Sequence, residues 1–335
     1  MKKLFKILSF FFIFFTIQLG YSQLSKTHYI PPLTSKTNQN VPPREQWFHI
    51  STPSVNAVNF TIKRGDGSEF ATGTVSNDNP WTSRANLSNA PNDLYGYLLA
   101  SSDSETEQIL TQHGFIIEAD SEIYVSVRFR TNNHAGAIVS KGESALGTRF
   151  RAGALQVRSG YLNFVSFMAT EDNTFVSFDL PAVSLSGNFG LQNIGPLSKG
   201  QSYIVASDDG LMGIIGTLIE SNKPIVVNSG SGTGTFTLSD GNIGGSDFGV
   251  DQLVGVELVG SEYIFVKGNG NNSWENVLII ADQDNTQINI NGSPYTDVSG
   301  NQITLNEGEF RIIEGDQYVN GNMYVSTNNK DDKLF

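Results

Sequence analysis

Apolar and polar residues alternate along most of the chain, in short runs that Gly, Asn, Asp and Pro separate. Such alternation places apolar side chains on one face of a strand, and the separating residues are those of tight turns. Representative runs are AVNFTIK, EIYVSVRFR, YIVAS, KPIVVNS, EYIFVKG, NVLIIA, TQINI and FRIIEG. Helical periodicity is scarce, and only DSETEQILTQHG (residues 103–114) is a candidate for a short helix. The pattern predicts an all-β fold.

One turn sequence occurs twice, as FMATEDNTFVSF at 167–178 and as IIADQDNTQINI at 279–290. Other phrases recur in the same order: ALGTRF with LVGSEYIF, LSKGQSYIV with LNEGEFRII, and IIEADSEIYV with LIESNKPIVV. The C-terminal YVSTNNKDDKLF begins the last phrase a third time. We therefore predict tandem β-rich repeats of roughly a hundred residues, as a propeller-like arrangement or as serial β-sandwiches. The similarity crosses unit boundaries, which favours the propeller.

Turn residues and composition changes also indicate boundaries along the chain. The predicted segments are a signal peptide (1–22), an extended, exposed leader (23–46), an N-terminal β unit with its linker (47–93), one β repeat (94–215), a second β repeat (216–325) and the start of a truncated further repeat (326–335).

The first residues have the pattern of a secretory signal peptide. Three lysines open the chain, and an apolar run from about Ile7 to Leu19 follows, too short to span a bilayer comfortably. Small residues precede a cut near Ser22/Gln23. We expect an exported protein that does not span the membrane and is extracellular or on the outer cell surface.

Composition narrows the classes of function. The chain has no Cys, so neither disulfides nor thiolate zinc sites hold it together, and its core must be large enough to be stable alone. The formal net charge of the chain is −12. The only charged side chains of the signal peptide are lysines, so the net charge of the rest of the chain is more negative than −12. A nucleic-acid partner is excluded because phosphate binding needs the opposite charge.

Several of these phrases together resemble a known family. KGESALGTRFRAG, MATEDNT, LSKGQSYIV, IESNKPIVVNSG, DFGVDQL and IIADQDNTQI are similar to repeats of the IgGFc-binding-protein N-terminal domain family. LSKTHYIPPL and STPSVNAVNFTIKRGDG resemble the front end of large flavobacterial surface proteins. The resemblance implies export by a type IX secretion system, whose machinery would be a partner, and a gliding-motility-associated sorting domain. Whether the antibody binding in the family's name applies here stays open, since function lives in sites rather than folds.

Exposed aromatic rings are the first candidates for a ligand site. A sugar ring stacks on a flat, solvent-facing aromatic side chain with polar neighbours. Trp274 lies in the polar loop KGNGNNSWEN, and Trp81 lies beside a linker. We name both as candidate ligand-binding residues, with a ring folded onto the core as the alternative.

Clustered acidic loops suggest calcium as a candidate cofactor, because Ca²⁺ prefers carboxylate and carbonyl oxygens. In SDGNIGGSDFG (239–249) the candidate ligands are Asp240 and Asp247, although the loop has no EF-hand pattern and plain turns explain it as well. The four histidines lack the spacing of a catalytic zinc site. We expect no other cofactor.

The sequence favours a non-enzymatic extracellular binding or adhesion module, the N-terminal part of a larger cell-surface protein, whose partner is an extracellular glycan or glycoprotein. One alternative is a secreted carbohydrate-active enzyme that acts through a carboxylate pair, as glycosidases do. Pairs such as Asp282/Asp284 supply the groups but not their separation. A second alternative is a structural spacer without a ligand.

Overall fold

The computed structural model describes residues 23–34, 45–86, 97–100, 105–130, 134–157, 161–208, 213–235 and 247–335. Strands dominate this part of the chain, which confirms the all-β prediction. The named helical elements are one α-helical turn, α1 (Ser83–Asn86), and 3-10 turns at Gly142–Ala145, Val256–Leu258 and Gly315–Gln317. Among the described residues, no helix has the length and hydropathy needed to cross a membrane.

The first unit is built around a seven-stranded sheet. The strands in this part of the chain are β1 (Ser25–Ile30), β2 (Leu33–Thr34), β3 (Glu45–Ser51), β4 (Val58–Arg64), β5 (Glu69–Val75), β6 (Trp81–Thr82), β7 (Leu99–Ala100), β8 (Phe115–Arg130) and β9 (Ala135–Val139). The sheet order is β5-β4-β8-β3-β6, while β1 and β9 also pair with β8. β2 and β7 form a separate parallel pair.

The second unit repeats this arrangement in an eight-stranded sheet. Its strands are β10 (Gly147–Arg151), β11 (Gln156–Val157), β12 (Asn163–Ala169), β13 (Thr174–Leu180), β14 (Gly190–Leu197), β15 (Ser202–Ser207), β16 (Leu218–Thr235) and β17 (Asp247–Gln252). The order β14-β13-β16-β12-β15 matches that of the first unit strand for strand, with β10, β11 and β17 also on β16.

The third unit is smaller. Its strands are β18 (Glu262–Val266), β19 (Val277–Ile280), β20 (Thr286–Ile290), β21 (Ser293–Pro294), β22 (Thr304–Leu305), β23 (Phe310–Ile313) and β24 (Asn322–Thr327). In the order β18-β24-β20-β21, the first strand β18 lies beside β24, as β1 lies beside β8 and β10 beside β16 in the other two units. β19 pairs with β23, and Ala281 bridges to Leu334. The sheets of the three units are separate and follow one another along the chain, which is consistent with serial β-rich domains.

Two segments differ from the sequence-based expectation. Residues 23–46 were expected to be an exposed leader, yet β1 within them is mostly buried and pairs with β8. The paired prolines that suggested exposure follow this strand rather than replace it. Residues 326–335 were expected to begin a further repeat, but here they complete the third sheet beside β18, β19 and β20. Of the candidate helix, residues 106–114 form bends on either side of an isolated β-bridge from Leu110 to Ser202.

The repeated Asp-Asn-Thr sequence forms one turn that is locked to another. In the second unit, Asn173 has a φ of 57°, a left-handed conformation that Asn tolerates better than most residues. Asp172 Oδ1 accepts the backbone N–H of Lys199 at 2.9 Å, and Gly200 N donates to Ala169 O at 2.8 Å. We call these two linked turns (169–174 and 198–201) the turn pair of the second unit.

The third unit contains the same turn pair at 281–286 and 306–309. Asn285 has a φ of 60°, Asp284 Oδ1 accepts from Glu307 N at 3.0 Å, and Gly308 N donates to Ala281 O at 2.9 Å. The sequence repeats Asp, Asn and Gly because each fills a backbone role in this pair. The repeat is therefore a structural one.

Candidate binding surface

Two arginines of the second unit meet two carboxylates of the third. Arg149 and Arg151 are two positions apart on β10, so both side chains leave the same face of the sheet. Arg151 Nη2 donates to Asp282 Oδ1 at 3.0 Å and to Glu307 Oε1 at 2.6 Å. Arg149 donates to Asp282 Oδ2 and, at 3.3 Å, to Glu307 Oε1. We call these four residues the arginine clamp.

The clamp is buried at its centre. Arg151 and Asp282 are each 3% exposed, and a buried charge is tolerated only where partners satisfy it. Arg151 Nη1 also donates to Gly216 O at 3.0 Å. Burial alone would lower the pKa of Arg149, but the hydrogen bond and charge of Asp282, followed by Glu307, raise it above its ordinary value. Arg149 therefore stays charged, and the ion pairs of the clamp join the third unit to the second.

A cleft of about 980 Å³ opens beside the clamp, between the second and third units. Its walls come from the β13–β14 hairpin, the start of β16 and the third unit's turn pair, and the lining includes Asp179, Leu180, Phe189, Leu218, Leu305 and Phe310. Phe189 is 64% exposed although its ring is apolar. The first cleft thus combines an exposed aromatic side chain with the carboxylates of Asp179 and Glu307.

A second cleft of about 730 Å³ lies further along the same sheet. Phe175 is half exposed here, next to the polar side chains of Ser177 and Asn193, which are paired across β13 and β14. Arg149 and Glu220 form its other wall, with 3.4 Å between Arg149 Nε and Glu220 Oε1.

Strand alternation places both clefts on one face. Phe175, Ser177 and Asp179 are successive outward positions of β13, and they pass from the second cleft to the first. Leu191, opposite Asp179 on β14, is 67% exposed. We call this side of β10, β13, β14 and β16 the outer face of the second sheet. Exposed apolar side chains among polar groups are typical of surfaces that bind a protein or a glycan.

The two predicted tryptophans lie elsewhere. Trp274 is 54% exposed in the loop between β18 and β19, where Glu275 accepts the backbone N–H groups of Gly268 and Gly270. Its ring is free to stack, so its ligand role stays a prediction. Trp81 is only 7% exposed and packs edge-on against Phe60, with ring centroids 5.1 Å apart. The expectation of an exposed ring does not hold at Trp81, because the ring fills the first core.

Of the two predicted calcium ligands, the structure describes only Asp247. Asp240 lies outside the described residues. Asp247 Oδ1 accepts the backbone N–H groups of Ala135 and Phe248, at 2.6 and 2.9 Å, which explains this carboxylate without a metal. Within the described part of the chain, no cluster of three or more His, Asp or Glu side chains is placed to hold an ion. A calcium site stays a prediction.

Sequence reasoning missed the outer face of the second sheet. The signal was present in NFGLQN (188–193), where apolar residues fall on alternate positions although the neighbouring residues are those of a loop. The two arginines of TRFR (148–151) were equally visible, but their carboxylate partners are more than 130 residues away along the chain. A single sequence does not reveal such a pairing.

Comparison with known proteins identifies the family of this chain. The family described as IgGFc binding protein matches residues 135–332, which is more than half of the chain. The matched residues contain the second unit, nearly all of the third, the arginine clamp and both clefts. No curated protein matches the chain closely enough to count as a relative. The chain belongs to the IgGFc-binding protein family.

Proposed function

We propose that this chain is a non-enzymatic extracellular binding module whose ligand is an extracellular glycoprotein. The outer face of the second sheet is its binding surface. The observation that carries the proposal is the pair of adjoining clefts, lined by exposed apolar side chains and lying inside the family-matched residues.

Exposure of the apolar side chains is the first argument. Phe175, Phe189 and Leu191 are 50%, 64% and 67% exposed and all belong to the β13–β14 hairpin region. Single apolar side chains on a surface need no explanation, but a group of them on one face marks an interaction site. Aromatic residues are also enriched where protein interfaces are most tightly packed.

Polar groups between the apolar ones supply the second argument. Ser177, Asn193 and Asp179 point outward on the same two strands and offer hydroxyl, amide and carboxylate groups to a ligand. A few directed hydrogen bonds among apolar contacts fix the orientation of a bound chain. Because both clefts are open and follow one another along β13, an extended peptide or oligosaccharide segment fits them better than a compact molecule.

The proposed setting is outside the cell. The predicted signal peptide (1–22) supports export, and the family name supports an extracellular protein ligand. We propose cleavage near Ser22/Gln23 and, from the resemblance to flavobacterial surface proteins, export by a type IX secretion system. N-terminal sequencing of the exported chain tests the cleavage, since a mature N-terminus at Gln23 is expected.

Binding measurements on matched variants test the binding surface. The exported chain is presented to immobilised IgG Fc and to a mucin-type glycoprotein, each before and after enzymatic removal of its glycans. Phe175→Ser and Phe189→Ser should each weaken binding about tenfold or more, since interface aromatics dominate binding energy. Val298→Ser is the control, because Val298 is fully exposed on a loop of the third unit and lines neither cleft.

The outcomes separate the alternatives. Loss of binding after glycan removal would assign the contact to the sugar, and retained binding would assign it to the protein. Equal binding by the variants and the wild type would overturn the proposed surface. No binding to any glycoprotein tested would favour a spacer, and release of reducing sugar ends would favour a carbohydrate-active enzyme.

A further inference from the structure

One position on the first strand of each unit can be compared across all three units. Ile117 of β8, Ile219 of β16 and Val325 of β24 each pair with the unit's first strand on one side. The same three residues pair with β4, β13 and β20 on the other side. The residue just before each of these, on β8, β16 and β24, also pairs with the first strand of its unit. Its partners there are Tyr29, Arg151 and Ile264, respectively. These three residues are structurally equivalent.

In the first two units this position is covered by the next unit. Tyr29 is 9% exposed and shares a buried cluster with Met168 and Val226 of the second unit. Arg151 is 3% exposed and is held by Asp282 of the third unit's turn pair. The chain therefore uses the same docking face twice, with different side chains at its centre.

In the third unit the same position is open. Ile264 is 71% exposed and Val266, two positions further on β18, is 75% exposed. Among the described strands β18 pairs with β24 alone, so it is an edge strand. An exposed edge strand with outward apolar residues is a surface that proteins usually cover. The two internal junctions show what covers it, namely the turns of another unit.

The first unit has turns at the equivalent places between its strands, and these contact no other described unit. Its β3–β4 connection (52–57) meets the turn at 76–79, where Asn77 N donates to Ser54 O at 2.8 Å. The turn pair of the second unit lies directly against the first unit. A Cβ at Gly200 would lie only 2.0 Å from the backbone O of Gly65. Val55, at the tip of the first unit's turns, is instead 76% exposed.

We propose that the chain associates head to tail with a second copy of itself. The turns around Val55 in one copy seat on Ile264 and Val266 of the other, as the second unit seats on the first. We call the turns around Val55 the head and the edge with Ile264 and Val266 the tail. Because the two surfaces differ, the contact is heterologous, and two joined copies still have one free head and one free tail. The inference is independent of the proposed function, because the outer face of the second sheet takes no part in it.

The test measures the molar mass of the exported chain by light scattering between about 1 μM and 1 mM, the range of weak self-association. The wild type should grow in mass with concentration beyond a dimer. Ile264→Lys and Val55→Lys should each weaken self-association about tenfold or more, because either change places a charge in the apolar contact. Val298→Lys, the same apolar-to-charged change at a fully exposed residue away from both surfaces, should assemble like the wild type.

Mixing the two variants gives the decisive result. The Ile264→Lys chain keeps its head and the Val55→Lys chain keeps its tail, so an equimolar mixture should form a complex of two chains and nothing larger. Thermal unfolding of each variant checks that both are folded. A monomeric wild type at every concentration, self-association of both variants like the wild type, or a mixture without a two-chain complex would each overturn the proposal.

Discussion

The junction between the first and second units is apolar, whereas the junction between the second and third is charged. Leu162, Phe164, Ile204, Ala206 and Phe248 of the second unit belong to the same buried core as the first sheet. The third unit has a core of its own, formed by residues between Val277 and Leu334. The arginine clamp joins it to the second unit instead.

This difference implies that the units separate with different ease. Pulling the first two units apart would expose a shared core to water, which is costly in proportion to its apolar area. Pulling the third away exposes charges that water solvates well, so part of the lost ion pairing is recovered. We therefore expect the first two units to unfold together and the third to open at a lower free energy.

The largest effect is expected at the shared core. Phe164 is fully buried between the first two units, and Phe164→Ala should lower the free energy of unfolding by about 3–5 kcal/mol. Denaturant unfolding should show both units losing stability in one transition. Phe189→Ala, at an exposed ring, should change stability by less than about 0.5 kcal/mol. Hydrogen exchange accelerated in the second unit alone would contradict a shared core.

The clamp should break with a smaller and more local effect. Arg151→Met leaves the buried carboxylate of Asp282 without its main partner, which should destabilise the third unit by about 3 kcal/mol. Hydrogen exchange should accelerate in β19 and β23 and stay unchanged in β8. Arg130→Met removes the exposed pair with Glu45 and should cost about 0–1 kcal/mol. Equal losses in all three units would show that the clamp does not act locally.

The smallest effect is a pH dependence at the first junction. Burial lowers the pKa of His28 below its ordinary value of 6.5, although hydrogen bonds to the carbonyls of Ile123 and Ser25 oppose this shift. The unfolded chain therefore binds a proton more readily, and stability falls as the pH drops below 6.5, by at most about 1.4 kcal/mol per pH unit.

His28→Gln isolates that contribution. The variant should show a flatter loss of stability between pH 6.5 and the lowered pKa, measured by thermal unfolding at each pH. An unchanged slope would mean that other groups carry the acid sensitivity. Despite the opposing effect of burial, its carboxylate partners raise the pKa of Arg149, so this guanidinium keeps its charge over this range, and we expect the second junction to respond to salt more than to mild acid.

Local pattern predicted the class of the fold and the existence of repeats. Alternation identified β13 and β20, and the Asp-Asn-Thr phrases marked turns whose Asn residues do have positive φ. It did not reveal that the chain before Trp47 forms β1, since the partner of that strand lies almost ninety residues further on. Strand pairing is a long-range property that local propensity does not encode.

The site was less accessible to sequence reasoning than the fold. Trp81 and Trp274 occur in similar polar contexts, yet one is buried and the other is half exposed. Burial depends on which sheet covers the ring, and that is decided by tertiary contacts. The outer face of the second sheet arises from apolar residues placed where alternation expects polar ones, a conflict that often marks function.

Close backbone contacts between glycines restrict which substitutions the junctions between units tolerate during evolution. Gly65 and Gly200 belong to different units but touch through their backbones, as do Gly216 and Gly308, where a Cβ at Gly216 would lie 2.3 Å from Gly308 O. A side chain at Gly65, Gly200 or Gly216 would overlap the backbone of the neighbouring unit, and Gly200, Gly216 and Gly308 also have left-handed φ. Duplicating or exchanging units therefore requires that both members of a glycine pair be inherited together.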